Sequence, residues 1–225
     1  MITVVSYTIY HSPNSYLGVE LADRMLAALP VQVERRPLFI PHDRGVKVAD
    51  LIGGREPARK GSYHREDCAR WADRYGIVMR FLPPGVFEER VARWRQSPLG
   101  REELPARAFY GSIGTGKERQ FDRALFRAAW IDGLDVNDEA VVHKAAAAVG
   151  LDPKVVMERA VGAEVASMAR EALAAFDADA VPGVPTWVVN GRRFWGKDRV
   201  DWLVREIERV PMMSPNQRLK RQQHD

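Results

Sequence analysis

The chain has 225 residues, with 34 Lys and Arg against 30 Asp and Glu, and its 46% hydrophobic and 28% charged residues are ordinary for a soluble globular protein. No run approaches the roughly 18 apolar residues of a membrane helix, and basic residues scattered among acids argue against nucleic acid, while a net charge of +4 favours small anionic substrates. The single cysteine, Cys68, excludes an internal disulfide and fits a reducing cytoplasm.

The N-terminus, MITVVSYTIYHS, has no basic segment before it and no small-residue cleavage site, so residues 2–10 read as a buried strand and not as a signal peptide. Ser12-Pro13 then opens a helix, with serine as N-cap and proline in the first turn. Leu17, Leu21 and Met25 give that helix one apolar face, and Pro30 ends it. Val31 to Ile40 reads as a second strand, so the chain begins as a βαβ unit with a parallel pair.

A helix from Ser62 to Gly76 carries Cys68, Trp71 and Tyr75. Residues 83–116 hold four prolines and many charges, and read only as loop and short helix. Helical patterning returns at Phe121–Asp132, Glu139–Val149, Pro153–Val161 and Glu164–Ala175. Thr186–Val189 and Arg193–Trp195 then flank Asn190-Gly191, the strongest short hairpin signal. Lys197-Asp198 opens a last helix through Val200, Leu203, Val204 and Ile207.

This order implies an α/β, thioredoxin-like fold with an inserted all-helical domain. Residues 1–80 and 176–210 form the discontinuous thioredoxin-like domain, 81–175 the insert, and 211–225 a polar, disordered tail. Val184-Pro185 stands directly before the third strand, where thioredoxin-like folds use a cis proline to offer backbone groups to a thiol ligand; a plain trans loop proline is the other reading.

Ser12-Pro13-Asn14-Ser15 occupies the place of a redox Cys-x-x-Cys. A hydroxyl there does not exchange disulfides. It hydrogen-bonds the sulfur of an external thiol, or it is simply a helix cap. Gly196-Lys197-Asp198-Arg199 offers helix amides for a carboxylate and Asp198 for an ammonium, the two ends of a free α-amino acid; helix capping by Asp198 is the alternative.

Four ordered motifs carry a family resemblance: HSPNSYLG at 11–18, Lys60-x-x-Tyr63-x-x-x-Asp67-x-x-Arg70-Trp71, GVPTWVVNG at 183–191 and FWGKDR at 194–199. Together they resemble the 2-hydroxychromene-2-carboxylate isomerases, a family related to kappa-class glutathione transferases and DsbA-like oxidoreductases. The resemblance implies glutathione as cofactor. Ser12 would contact its thiol, Lys60 its glycyl carboxylate, Val184 ahead of a cis Pro185 its cysteinyl backbone, and Asp198 with the Lys197 amide its γ-glutamyl end. It also implies a cytoplasmic homodimer, and an activity in which the glutathione thiolate adds reversibly to an aromatic-derived unsaturated keto acid. A kappa-type transferase, or a non-catalytic binding module on the same fold, are the alternatives.

Three departures stand out. Gly53-Gly54 occupies the stretch where the family carries an asparagine. His11 stands where an apolar residue is common; it polarises a carbonyl or simply flanks the site, and with Trp195 it is expected on the substrate side. The segment from about 85 to 116 is longer than usual and belongs to the region that covers substrate. Gly111–Lys117 has P-loop spacing, but Glu118 replaces the hydroxyl that would hold magnesium and no buried strand precedes it, so it reads as a surface loop. The histidines lack metal-ligand spacing, and Cys68 reads as a packed small side chain.

Overall fold

The computed structural model describes residues 1–41, 55–83 and 85–209, without the side chains of 55–60, 87, 88 and 91. The Gly53-Gly54 departure, the Lys60 side chain and the tail expected to be disordered lie outside the described residues.

Strand β1 (Ile2–Thr8) leads through Ser12 into α1 (Pro13–Met25), and β2 (Val31–Pro37) returns beside β1. Helices α2 (Arg55–Tyr75), α3 (Val86–Gln96), α4 (Glu103–Gly111), α5 (Glu118–Trp130), α6 (Glu139–Ala148), α7 (Pro153–Val161) and α8 (Ala163–Ala178) follow. The hairpin β3 (Thr186–Val189) and β4 (Arg192–Trp195), a short 3-10 turn at Lys197–Arg199 and α9 (Val200–Arg209) complete the order.

The expected order holds, with β1 and β2 ending two and three residues early, the last helix opening at Val200 after the 3-10 turn, and two larger differences. Helix α2 begins seven residues before Ser62, because its charged first turns lack the apolar stripe from which a helix is read. The segment read as loop and short helix contains two helices, α3 and α4. Pro105 does not break α4: it sits at the third helical position, where the amide has no intrahelical acceptor to lose.

The sheet order is β2-β1-β3-β4, with β1 parallel to β2 and antiparallel to β3. Asn190 and Gly191 both take positive φ, 50° and 74°, which closes the β3–β4 hairpin as their sequence demands. Alternation along β1 and β3 sends Val4, Trp187 and Val189 to one core with α1, α5 and α9. It sends Tyr7 and Val188 to the other, against α4 and α8.

The functional ends of this scaffold meet on α1. A Cβ on Gly18 would lie 2.6 Å from Trp187 Cη2 and 2.9 Å from Pro185 Cγ. Only a glycine lets the proline loop and β3 lie this close to the helix axis.

Candidate functional site

Ser12 ends the β1–α1 turn as the N-cap of α1, half-buried, at φ −89° and ψ 116°. Its Oγ accepts the Ser15 N–H at 3.1 Å, while Ser15 Oγ accepts the Ile9 N–H at 3.3 Å. A hydroxyl that accepts still has its own proton to donate. Ser12 therefore presents an O–H at the positive end of a thirteen-residue helix, where a thiolate is stabilised by amides and dipole.

The Val184–Pro185 bond is cis. Pro185 C=O accepts the Gly196 N–H at 2.9 Å, and Thr186 Oγ1 donates to Gly183 C=O at 2.7 Å. Among the described residues neither the N–H nor the C=O of Val184 has a hydrogen-bond partner. Trp195 is half-exposed and its indole covers Gly183, placing that ring beside the proline loop.

Lys197 behaves differently from its sequence reading, in which only its amide had a role. Its side chain is buried, with Nζ donating to Asp67 Oδ2 at 2.6 Å and Asn14 Oδ1 at 2.9 Å above the Trp71 ring. It thus ties the turn after β4 to the first turn of α1 and to α2. Asp198 stays at the surface and pairs with Arg199, so its carboxylate is exposed beside a small pocket lined by Leu21, Trp71, Tyr75 and Lys197.

Ser12, Val184–Pro185, Lys197 and Asp198 are all carried by α1 or by segments packed against it. Lys60 lies on the first turns of α2, its side chain outside the described residues. Three partners were missed from sequence: Asn14, His64 and Asp67. Asn14 Nδ2 and His64 Nε2 lie 2.9 Å apart. The signal was present, since His64, Asp67, Cys68 and Trp71 follow i, i+3, i+4, i+7 spacing along one helical face. Burial lowers the His64 pKa, and the Lys197 ammonium nearby adds to the effect.

Cys68 is fully buried, and desolvation pushes its thiol up to about 11. It is a packed side chain, as read. The P-loop-like segment lies between two helices, where Glu118 Oε1 accepts the N–H groups of Gly114 and Gly116. A carboxylate fills the place where a phosphate would sit.

The side chain of His11, adjacent to Ser12, is buried against Glu102, to which its Nδ1 and main-chain N–H both turn. No sequence signal links these two residues, which are 91 positions apart. Among the described residues no group of three or more His, Cys, Asp and Glu could hold a metal ion, and no helix is long and apolar enough to cross a membrane.

A thioredoxin-like sheet and a cis proline before β3 that packs against the first helix define a class, and the comparisons agree. Residues 3–208 match the DSBA-like thioredoxin domain, and the chain belongs to that family. It is 27% identical over 202 residues to 2-hydroxychromene-2-carboxylate isomerase of Sphingobium xenophagum, covering 89% of this chain and 95% of that protein. Its fold resembles the structure of a 2-hydroxychromene-2-carboxylate isomerase with a TM-score of 0.73 at 22% identity, over 93% of this chain and 96% of the other. It also resembles a probable DsbA oxidoreductase from Streptomyces coelicolor, with a TM-score of 0.74 at 17% identity, over 96% and 92% of the two chains. The fold and the family resemblance read from the four motifs are thereby established.

Proposed function

We propose that the protein is a glutathione-dependent isomerase of an aromatic-derived unsaturated keto acid, acting as a cytoplasmic homodimer with 1–80 and 176–210 as its thiol-binding domain and 81–175 as the inserted one. The observation that carries this is the Ser12 O–H, held by the Ser15 amide at the N-terminus of α1 and joined through Gly18 to the cis-Pro185 loop. Such a site binds a thiol without exchanging disulfides.

The residues present fit glutathione. Among the described residues nothing pairs with the backbone donor and acceptor of Val184, which suits a peptide-like ligand. The exposed Asp198 carboxylate suits an ammonium group, and Lys60 is the basic residue assigned to the glycyl carboxylate. Glutathione would supply a nucleophilic sulfur, which turns a barred rotation about a double bond into a permitted one. The chain's own work is to ionise and orient that sulfur through Ser12 and the α1 amides, and to cover the reacting centre with His11 and Trp195. The Asp67–Lys197–Asn14 bridge keeps the first turn of α1 in place.

Dithiol exchange has little support here. The single thiol is buried and stays protonated far above neutral pH. A kappa-type transferase would use the same thiol site, and the products separate the two: glutathione is regenerated in isomerisation and consumed in conjugation.

Calorimetric titration with glutathione tests the reading directly. Wild type is expected to bind, and Asp198→Ala to weaken binding about tenfold, equivalent to about 1.4 kcal/mol. No heat of binding from wild type at millimolar glutathione would sink the proposal.

A further inference from the structure

Thiol binding leaves unused a buried charge cluster beside Ser12. The His11 side chain is 7% exposed and its ring lies 5.1 Å from that of Trp94 on α3. Glu102, fully buried, accepts from this one residue twice: Oε2 takes the main-chain N–H at 3.3 Å and Oε1 takes Nδ1–H. Glu102 itself is held in the left-handed region at φ 68°, with its N–H donated to Asn137 Oδ1 at 2.9 Å. A non-glycine residue in that conformation, carrying a buried carboxylate, is retained where the surrounding structure and the role of the group require it.

The other ring nitrogen, Nε2, is buried and has no hydrogen-bond partner among the described residues. Asp135 Oδ1 lies 3.6 Å from it, beyond hydrogen-bonding distance. That carboxylate is shared with Arg93 at 3.4 Å and Arg90 at 3.9 Å on α3. Arg101 stands 3.7 Å from Glu102 and covers the Trp94 ring. The charged groups around His11 are therefore Glu102 and Asp135 on one side of the account, and Arg90, Arg93 and Arg101 on the other.

A carboxylate fixing Nδ1 as the donor, with Nε2 left over, is the arrangement by which a histidine is set up to move a proton. We propose that His11 is the proton-transfer group of the isomerisation, with Glu102 as the residue that positions it. The proposal rests on the isomerase reading above and extends it to the substrate end. Glutathione would supply the attacking sulfur, and as the π pair moved onto the substrate's carbonyl oxygen that oxygen would take the proton from Nε2. When the carbonyl and the double bond re-form, the oxygen returns that proton to Nε2. The proton count is unchanged over a turnover, and nothing is oxidised or reduced.

Nitrogen-15 NMR of histidine-labelled full-length protein reads the dyad without substrate, His11→Gln serving for assignment. Nδ1 is expected to stay protonated while Nε2 gains and loses its proton with pH; an Nε2 fixed in one state across the folded range overturns the proposal. In Glu102→Gln both tautomers should appear, whereas a purely structural carboxylate predicts one unchanged tautomer. Turnover of 2-hydroxychromene-2-carboxylate with saturating glutathione is the second readout. His11→Gln is expected to lower kcat about 100-fold and remove one limb of its pH profile, with glutathione affinity by calorimetry unchanged within about twofold. A kcat within about threefold of wild type, or a parallel loss of glutathione affinity, overturns the dyad. Should His11→Gln fail to fold, Glu102→Gln, which keeps one acceptor oxygen and replaces the other with a donor, carries the same kinetic test with a loss of about tenfold. The two readings fail differently. A wild type that does not bind glutathione removes the functional assignment and the dyad with it, whereas an active wild type matched by His11→Gln removes the dyad alone.

Discussion

Ser12 caps α1 by accepting the Ser15 N–H, and its own hydroxyl proton is left to donate. The cap and the proposed contact to a thiol sulfur can be separated by measurement. Ser12→Ala is expected to cost about 1 kcal/mol in thermal or denaturant unfolding, the usual value of an N-cap. It should lower turnover by about 100-fold, the effect of losing one preorganised donor. A loss of stability without loss of turnover would leave Ser12 as a cap alone. Cys68 gives a second test at this scale. Burial moves its thiol from an ordinary 9.0 to about 11, so the folded state keeps its proton where the unfolded chain releases it. The stabilising contribution is thus full below pH 9 and lost as pH rises towards 11. Alkylation by iodoacetamide at pH 8 should proceed only in denaturant; rapid labelling of the native protein would show that the thiol is reachable.

At the scale of elements, α1 is the piece on which the site is assembled. Gly18 faces Pro185 and Trp187, and its missing side chain sets how closely the cis-proline loop approaches α1. Gly18→Ala is expected to destabilise the fold by about 1–3 kcal/mol through overpacking against two rigid rings. Because Pro185 must move, glutathione affinity measured by calorimetry should fall along with stability. An alanine variant with unchanged affinity would show that the loop position does not govern binding. The same scale shows where periodicity is a good guide. Helices α5 to α8 were legible because their apolar residues recur at helical spacing beside clear caps, such as Asp152, whose side chain accepts the Lys154 N–H at 2.9 Å. The two helices α3 and α4 were not, because prolines and charges hide a pattern that packing supplies. Pro105 looks like a breaker until its place in the first turn is known.

Across the whole molecule, Arg35 of β2 joins three elements at once. It donates to Ser6 Oγ on β1 at 2.9 Å, pairs with Asp23 of α1 at 2.9 Å, and lies 3.2 Å from Asp122 of α5. Tyr10 donates to the same Asp122 at 3.0 Å. Asp122 is fully buried, and burial raises its pKa despite the arginine. Arg35→Met is expected to destabilise the protein by about 3–5 kcal/mol at neutral pH, because it leaves that carboxylate uncompensated. A raised carboxyl pKa means that the folded state binds the proton more readily than the unfolded chain. The variant should therefore recover part of its stability as pH falls into the carboxylate range. Denaturant unfolding at pH 7 and pH 5 checks this, and a deficit that does not shrink at lower pH would place the cost elsewhere.

What the sequence by itself determined was local: the cap-and-proline start at Ser12-Pro13, the Asn190-Gly191 hairpin, the proline before β3, the absence of both redox cysteines and the order of the strands and of every helix but α3 and α4. Each follows from neighbours within a few positions, where propensity, capping and turn chemistry act. The tertiary structure alone decided which distant residues meet. It turned the Lys197 side chain inward to Asn14 and Asp67, left Asp198 at the surface, and set Glu102 against His11. These contacts join residues dozens to nearly two hundred positions apart. Their pairing depends on the long-range packing of helices on a sheet, and no periodicity along the chain records it.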